Sequence, residues 1–250
     1  MAADVGLLVL GAAVAGFVQG LSGFAFGLVA MSFWVWGIDP RVAAVMAVFG
    51  ALTGQLVAVF TQRRGFSWPA LWPFLAGGLV GVPAGVGLLP HLDAQWFKLV
   101  LGTLLVVWCP AMLWSARLPR VTRGGRLADG VAGAAGGFMG GIGGFAGMVP
   151  TLWCTLRGMA KDPQRAIVQN FNLAALSCTM LAYVSTGMVT RDMWPLLPVV
   201  AVALLVPVLI GSRVYVGLSD VAFRKLVLSL LSLSGVAMLV SAVPALLARG

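Results

Sequence analysis

Long apolar runs separated by short polar loops dominate this chain of 250 residues. Six runs are about 19 to 22 residues long, the length that an α-helix needs to cross a hydrocarbon core of about 30 Å. The pattern predicts six transmembrane helices, at Val42–Phe60, Pro69–Leu89, Trp96–Trp114, Ala166–Thr186, Trp194–Ser212 and Leu226–Leu247. Tryptophans near the ends of these runs fit the membrane interface, which favours amphipathic rings: Trp68, Trp72, Trp96, Trp114 and Trp194.

Two further apolar segments, Val5–Trp36 and Gly130–Leu156, are interrupted by glycine, and each precedes three of the predicted helices. The interruptions repeat one another. Ser22-Gly23-Phe24-Ala25 aligns with Gly143-Gly144-Phe145-Ala146, and downstream the alignment pairs Asp39-Pro40 with Asp162-Pro163 and Lys98–Leu101 with Lys225–Leu228. The sequence therefore predicts an internal duplication, residues 1–118 and 128–250, joined by a basic linker at 119–127.

Loop charge indicates how the broken segments lie in the membrane. If each crosses once, lysines and arginines divide evenly between the two sides. If each turns back, or crosses twice as two short helices, 12 of the 16 basic residues share one side, as the positive-inside rule requires. The second arrangement predicts an all-α inverted repeat, each half having one broken segment and three transmembrane helices, with a cytoplasmic linker and both termini outside the cytoplasm.

Composition excludes several classes of protein. Only 9% of the residues are charged, against about 25% in soluble domains. This low charge excludes a soluble globular protein. The net charge of +9 comes from loop residues, which favours contact with anionic lipid over nucleic acid. All seven acids lie near the ends of apolar runs, which argues against a buried proton relay or a dedicated cation cage. With one histidine, His91, and no nucleophile–base pair, we expect no enzyme, cofactor or metal.

The two breaks are the candidate binding site. Broken backbone within a bilayer must face protein or a water-filled cavity, because unsatisfied polar groups in lipid cost several kcal/mol each. We expect helices that begin after Ser22-Gly23 and Gly143-Gly144 to aim free N–H groups at an anion, with Phe24 and Phe145 lining the cavity. Most other glycines are expected to pack helices closely.

Buried amides add neutral hydrogen-bond donors to this hypothesis. The candidate residues are Gln19, Gln55, Gln169, Asn170 and Asn172. Three amides within four residues of a span are costly when they face lipid, so we expect the last three to face the cavity. Interhelical hydrogen bonding is the alternative, and for Gln19 and Gln55 the two interpretations have equal support.

In these motifs the chain resembles the sulfite exporter TauE/SafE family of membrane transporters, of the 4-toluene sulfonate uptake permease type. The resemblance rests on the duplicated glycine-rich opening, the short basic linker, the stretch from Pro150 to Gly158 and the sequence Gln169-Asn170-Phe171-Asn172. The chain departs from the commoner run of three glycines, since Ala25-Phe26 and Ala146 occupy part of it.

The resemblance implies a multi-pass transporter of the bacterial inner membrane that moves sulfite or sulfonates, such as sulfoacetate or taurine-derived compounds. Together with the inverted repeat it predicts secondary transport by alternating access. A passive anion channel with the same dipole-lined site is the alternative. The sequence leaves open a coupling proton, a homodimer and the direction of transport.

Overall fold

The computed structural model describes residues 4–61, 65–114, 120–121, 124–214 and 220–248. The predicted linker at 119–127 and the loops at 61–68 and 212–225 therefore lie partly outside the described residues. Within the described ranges the chain forms helices and no strands. The helices are α1 Val5–Ser22, α2 Phe26–Trp34, α3 Pro40–Thr61, α4 Trp68–Leu88, α5 Ala94–Trp114, α6 Gly125–Gly143, α7 Met148–Leu156, α8 Lys161–Ser185, α9 Leu196–Val214 and α10 Asp220–Leu247.

Seven of the described helices are long and apolar enough to span a membrane. Six are the predicted spans, which are confirmed as helices of that length, and the seventh is α1. The arrangement of each broken segment as two short helices is wrong, because α1 has 18 residues and α6 has 19, each followed by a helix of nine. Each segment is a full-length helix followed by a half-length one.

Aspartates explain where several of these helices begin. The carboxylate of Asp4 accepts a hydrogen bond from the Leu7 N–H at the start of α1. Asp39, which precedes α3, accepts from the Arg41 N–H in its first turn. Asp93, which precedes α5, accepts from the N–H groups of Gln95 and Trp96 in its first turn. Side-chain capping of this kind satisfies backbone donors that have no partner within the helix. These acids at the ends of apolar runs are therefore structural.

Each half-length helix returns to the starting end of the long helix before it. The indole N–H of Trp34, at the end of α2, is 3.2 Å from the Leu7 carbonyl oxygen and 3.3 Å from that of Leu8, near the start of α1. In the second segment the indole of Trp153 and the guanidinium of Arg157, at the end of α7, donate to Asp129 near the start of α6. Both broken segments are helical hairpins.

The pairing with Arg157 and Trp153 also explains why α6 begins within the predicted linker. Asp129 is only 7% exposed, and an unpaired carboxylate buried to that degree would be costly. Because three hydrogen bonds satisfy it, the helix extends back through Asp129 to Gly125. Sequence alone shows that acid only as a residue between the linker and the broken segment, since its partners lie more than 20 residues away.

Glycines bring each hairpin close to a helix of the other half. Along α1 and α9, a Cβ atom on Gly16 would lie 2.9 Å from the Leu204 carbonyl oxygen. Along α4 and α6, a Cβ atom on Gly137 would lie 2.5 Å from the carbonyl oxygen of Gly78, and one on Gly141 would lie 2.7 Å from that of Val82. The expectation that glycines pack helices is confirmed along these two contacts, where backbone meets backbone.

The α4–α6 contact predicts the effect of adding one methyl group. A Cβ atom on Gly81 would collide with the Ala134 carbonyl oxygen of α6, whereas one on Gly87 meets nothing within 4 Å. Both positions are in α4, so Ala brings a similar gain in helix propensity at each. We expect Gly81→Ala to destabilise the protein by about 1 to 3 kcal/mol through overpacking, and Gly87→Ala to have no such cost. Thermal unfolding in detergent measures the difference, and equal midpoints would contradict the close contact.

Candidate functional site

The two breaks have the same backbone geometry. Gly23 ends α1 with φ of 84° and Gly144 ends α6 with φ of 80°, in the left-handed region that favours glycine. The N–H of Gly23 donates to the Gln19 carbonyl oxygen, and that of Gly144 to the Gly140 carbonyl oxygen. Each glycine caps the helix that ends there, and the next helix begins after it, as the sequence predicts.

The half-length helices begin three to four residues later, at Phe26 and Met148. Neither described N-cap residue, Ala25 or Gly147, makes a side-chain capping hydrogen bond. Ser22 instead accepts from the N–H groups of Phe24 and Ala25 across the first break. The first turns of α2 and α7 thus bring the positive end of each helix dipole to the breaks. In α7 the Met148 N–H donates to the Phe145 carbonyl oxygen and Pro150 has no N–H, so the dipole is its main contribution.

The breaks lie against each other. A Cβ atom on Gly27, in the first turn of α2, would lie 2.7 Å from the Gly144 carbonyl oxygen. Likewise, a Cβ atom on Gly147 would lie 2.8 Å from the Cβ of Phe24. The two breaks, which the sequence relates only as copies of one motif, are therefore in contact in the folded protein.

Two buried glutamines flank the first break. Gln55 of α3 is 1% exposed, and its Nε2 donates to the Gly23 carbonyl oxygen at 2.6 Å. Gln169 of α8 is 2% exposed, and its Nε2 lies 3.2 Å from the position of a Cβ atom on Gly23. The two glutamines approach Gly23 from helices of different halves.

Asn172 lies beside the second break. It is 1% exposed, and its Oδ1 has no hydrogen-bond partner among the described residues. A Cβ atom on Gly147 would lie 2.6 Å from its Nδ2 and 2.9 Å from its Oδ1. Because Gly147 is the N-cap of α7, a polar amide lies at the N-terminus of a helix without a capping side chain.

Asn170 is not part of this cluster. Its Nδ2 donates to the carbonyl oxygen of Ala166 in its own helix and to that of Gly65 in the loop before α4. Residues 169 and 172 share a helix face, while residue 170 is turned about 100° from residue 169. The structure therefore brings Gln169 and Asn172 to the breaks and directs Asn170 to a loop.

Gln19 lies in a small cavity next to the first break. Its Nε2 donates to the Ala51 carbonyl oxygen at 2.9 Å, and its Oε1 has no partner among the described residues. The cavity lies between α1, α3 and α9, and Gly23 also lines it. Gln19 and Gln55 thus use one amide group each for interhelical hydrogen bonds, as the alternative interpretation expects.

The remaining candidate residues have distinct positions. Ser22 is exposed and Phe24 is partly exposed. Gly143 and Phe145 are buried, and a Cβ atom on Gly143 would lie 2.8 Å from the Phe145 ring. Phe145 lines a cavity formed by α5 and α6, and all the residues that line this cavity are apolar.

Trp108 of α5 is a residue near the breaks that the sequence patterns did not indicate. Its indole N–H donates to the Met148 carbonyl oxygen at 3.2 Å, and its ring makes an edge contact with Phe24, with 6.1 Å between the ring centroids. A buried indole requires an acceptor. Unlike the five tryptophans near span ends, Trp108 lies within its span, and this position was an available signal for a polar partner inside the bundle.

No described residue set offers a metal centre, since no group of three His, Cys, Asp or Glu side chains could hold an ion. The ion pair between Asp129 and Arg157, 2.8 Å apart, lies at the far end of α7 from the second break. The named side chains around the breaks are uncharged, so backbone dipoles and amides dominate the electrostatics there.

Comparison with known proteins agrees with these features. Over 110 residues the chain is 33% identical to "Probable membrane transporter protein y4hK" of Sinorhizobium fredii (strain NBRC 101917 / NGR234). That match covers 41% of this chain and 43% of the relative, so it spans less than half of either protein. No solved structure matches. The family model described as "Sulfite exporter TauE/SafE" matches residues 8–238. Because this match covers most of the 250 residues, the chain belongs to the sulfite exporter TauE/SafE family of membrane transporters.

Proposed function

We propose that the protein is a secondary transporter of small sulfur-containing anions, sulfite or sulfonates, in the bacterial inner membrane. The observation that supports this most is the meeting of two half-length helix N-termini beside buried amides. Aligned peptide dipoles place about half a positive charge at each N-terminus. An anion between Phe26 and Met148 would lie at the positive ends of two helix dipoles, one from each half.

The residue types at the breaks suit reversible binding. Gln169 and Asn172 are neutral, as is Gln55, so they offer hydrogen bonds without the strong attraction of a buried lysine or arginine. Rotating the Asn172 amide by 180° exchanges Oδ1 for Nδ2 and turns N–H donors toward the same space. We assign the anion to this part of the interface between the breaks, with Gly23, Phe24, Gly143 and Gly144 as its backbone and wall.

An inverted repeat would give this site an entrance on each side of the membrane. Supporting it, Lys98 at the start of α5 lies over the ring of Trp36, which follows α2, with 4.8 Å from Nζ to the ring centroid. The end of α7 instead contacts the linker, because the Val121 N–H donates to the Leu156 carbonyl oxygen. The Trp36 contact lies at the start of α5, and the linker follows the end of α5. Because α5 has 21 residues, enough to span the membrane, we propose that the two hairpins enter from opposite faces of the membrane.

Alternating access would then consist of one hairpin moving relative to the other. The two breaks are in contact through Gly27 and Gly144, so a change in their separation would alter the anion site directly. A passive anion channel would use the same dipoles and requires no such motion. Transport kinetics distinguish the two mechanisms.

The first test is flux of ³⁵S-sulfite or a labelled sulfonate in proteoliposomes of the full chain. A transporter gives uptake that saturates with concentration, and unlabelled substrate inside the vesicles accelerates entry of label. An ohmic anion current without counterflow would contradict the transporter and favour the channel. Absence of any anion flux with every sulfur anion tested would contradict both.

The second test separates the asparagines of α8. We expect Asn172→Ala to weaken anion binding roughly tenfold to a hundredfold, because a hydrogen bond to a charged ligand contributes about 1.5 to 3 kcal/mol. Ser177→Ala is the matched control, since the Ser177 hydroxyl donates only within α8, to the Leu173 carbonyl oxygen. Isothermal titration in detergent measures both. Equal losses in Asn170→Ala and Asn172→Ala would contradict the assignment made from the geometry.

The third test concerns orientation. In a background with Cys109, Cys154 and Cys178 replaced by Ala, single cysteines at the exposed positions Ser67 and His91 are labelled with an impermeant maleimide. We expect His91→Cys to react in intact cells and Ser67→Cys only after the membrane is opened, and a reporter fused after residue 250 to lie outside the cytoplasm. A cytoplasmic C-terminus would contradict the inverted repeat.

A further inference from the structure

The cavity beside the first break is very small, and a few oxygen-bearing side chains interrupt its mostly apolar wall. It is about 10 Å³, which suits one occupant the size of a water molecule. Three oxygen-bearing side chains line it, from Gln19 of α1, Thr61 of α3 and Ser212 of α9. The remaining lining residues are glycines and apolar residues, namely Gly20, Gly23, Gly54, Val57, Ala58 and Val208.

The carboxamide of Gln19 has a fixed orientation. Its Nε2 donates to the Ala51 carbonyl oxygen at 2.9 Å, and exchange of nitrogen for oxygen would place two acceptors against each other. Gly54 packs against the same amide, because a Cβ atom on Gly54 would lie 2.5 Å from Gln19 Cδ. The Oε1 atom is therefore held as an acceptor, yet it is buried and has no partner among the described residues.

The other polar groups of the cavity also offer acceptors. The Thr61 hydroxyl donates its hydrogen to the Val57 carbonyl oxygen at 2.9 Å, and the Ser212 hydroxyl donates to that of Leu209 at 2.8 Å. Each oxygen retains lone pairs for a further partner. The cavity lies at the C-terminal end of α1, which carries the negative end of the helix dipole. These features disfavour an anion and favour a cation.

We propose that this cavity binds one Na⁺ ion, which is coupled to anion transport. The ligands are neutral oxygens without a carboxylate, which suits a weakly held monovalent cation better than a divalent one. The sequence argued against a cation cage because no acid lies within a span, and this site requires none. The proposal rests on the proposed function for its coupling role, although cation binding itself does not depend on it.

Gly23 connects the two sites. It lines the cavity. Its carbonyl oxygen accepts a hydrogen bond from Gln55, and a Cβ atom on it would lie 3.2 Å from Gln169 Nε2. A cation that changes the position of the α1 end would therefore change the wall of the anion site. In the repeat, Gln19 aligns with Gly140, which has no side chain to supply an equivalent ligand. We therefore expect one cation per chain.

Thermal unfolding of the full chain in detergent, without any anionic substrate, tests cation binding. The unfolding midpoint is measured against NaCl concentration, with choline chloride or KCl keeping ionic strength constant. We expect a saturable rise specific to Na⁺, and at least tenfold weaker Na⁺ affinity in Gln19→Leu. Gln95→Leu is the matched control, because Gln95 Oε1 also has no partner among the described residues but does not line the cavity.

A second variant covers the case in which Gln19→Leu fails to fold. We expect Ser212→Ala to weaken Na⁺ binding at least tenfold, because it removes one oxygen from the cavity and leaves the hydrogen bond between Gln19 and Ala51 in place. Equal midpoints in Na⁺, K⁺ and choline for the wild-type chain would overturn the proposal and identify the occupant as water. So would an unchanged Na⁺ response in both Gln19→Leu and Ser212→Ala.

The two proposals fail in different ways. If labelled anion flux in proteoliposomes saturates and shows counterflow but does not respond to a Na⁺ gradient, coupling through this cavity is refuted and the transport function stands. If Na⁺ raises the unfolding midpoint but no anion is transported, the proposed function and the coupling role fail while the cation site stands.

Discussion

Broken backbone inside a bilayer must find its partners within the protein, and this constraint governs the arrangement of the two hairpins. Gly23 and Gly144 end their helices in the left-handed conformation, which takes the backbone of the breaks out of the helical hydrogen-bond pattern. The protein satisfies that backbone with groups from other helices, including the amide of Gln55 and the indole of Trp108. The breaks therefore lie against each other in the interior, where lipid cannot reach them.

Close helix packing holds the breaks in that position. The long helix of each hairpin packs against a helix of the other half, α1 on α9 and α6 on α4, and glycines allow the backbones to touch. At the opposite end of each hairpin, hydrogen bonds join its two helices. The Trp34 indole makes them in the first half, and Asp129 accepts them from Arg157 and Trp153 in the second. The two ties differ in chemistry, since only the second is charged.

Charged and neutral polar groups occupy different parts of the protein. Basic residues concentrate in the loops between apolar runs, where we predict that they orient the chain in the membrane. The breaks instead combine helix N-termini with neutral amides, which supports our assignment of a reversibly bound anion. The oxygen-lined cavity at the end of α1 has the opposite polarity, and we assign it to a cation. Both assignments use helix ends, positive at α2 and α7 and negative at α1.

Local sequence patterns determined much of this architecture. The length of an apolar run sets whether a helix can span the membrane, so all six predicted spans were found, and repeated glycines marked both breaks. The sequence could not place Asp129 in a buried ion pair, distinguish Asn172 from Asn170, or pair Gln19 with Ala51. Each of these depends on which distant helix packs against which face. Run length and periodicity are properties of neighbouring residues, whereas partners across 20 to 100 residues are chosen by packing, and only the tertiary structure decided them.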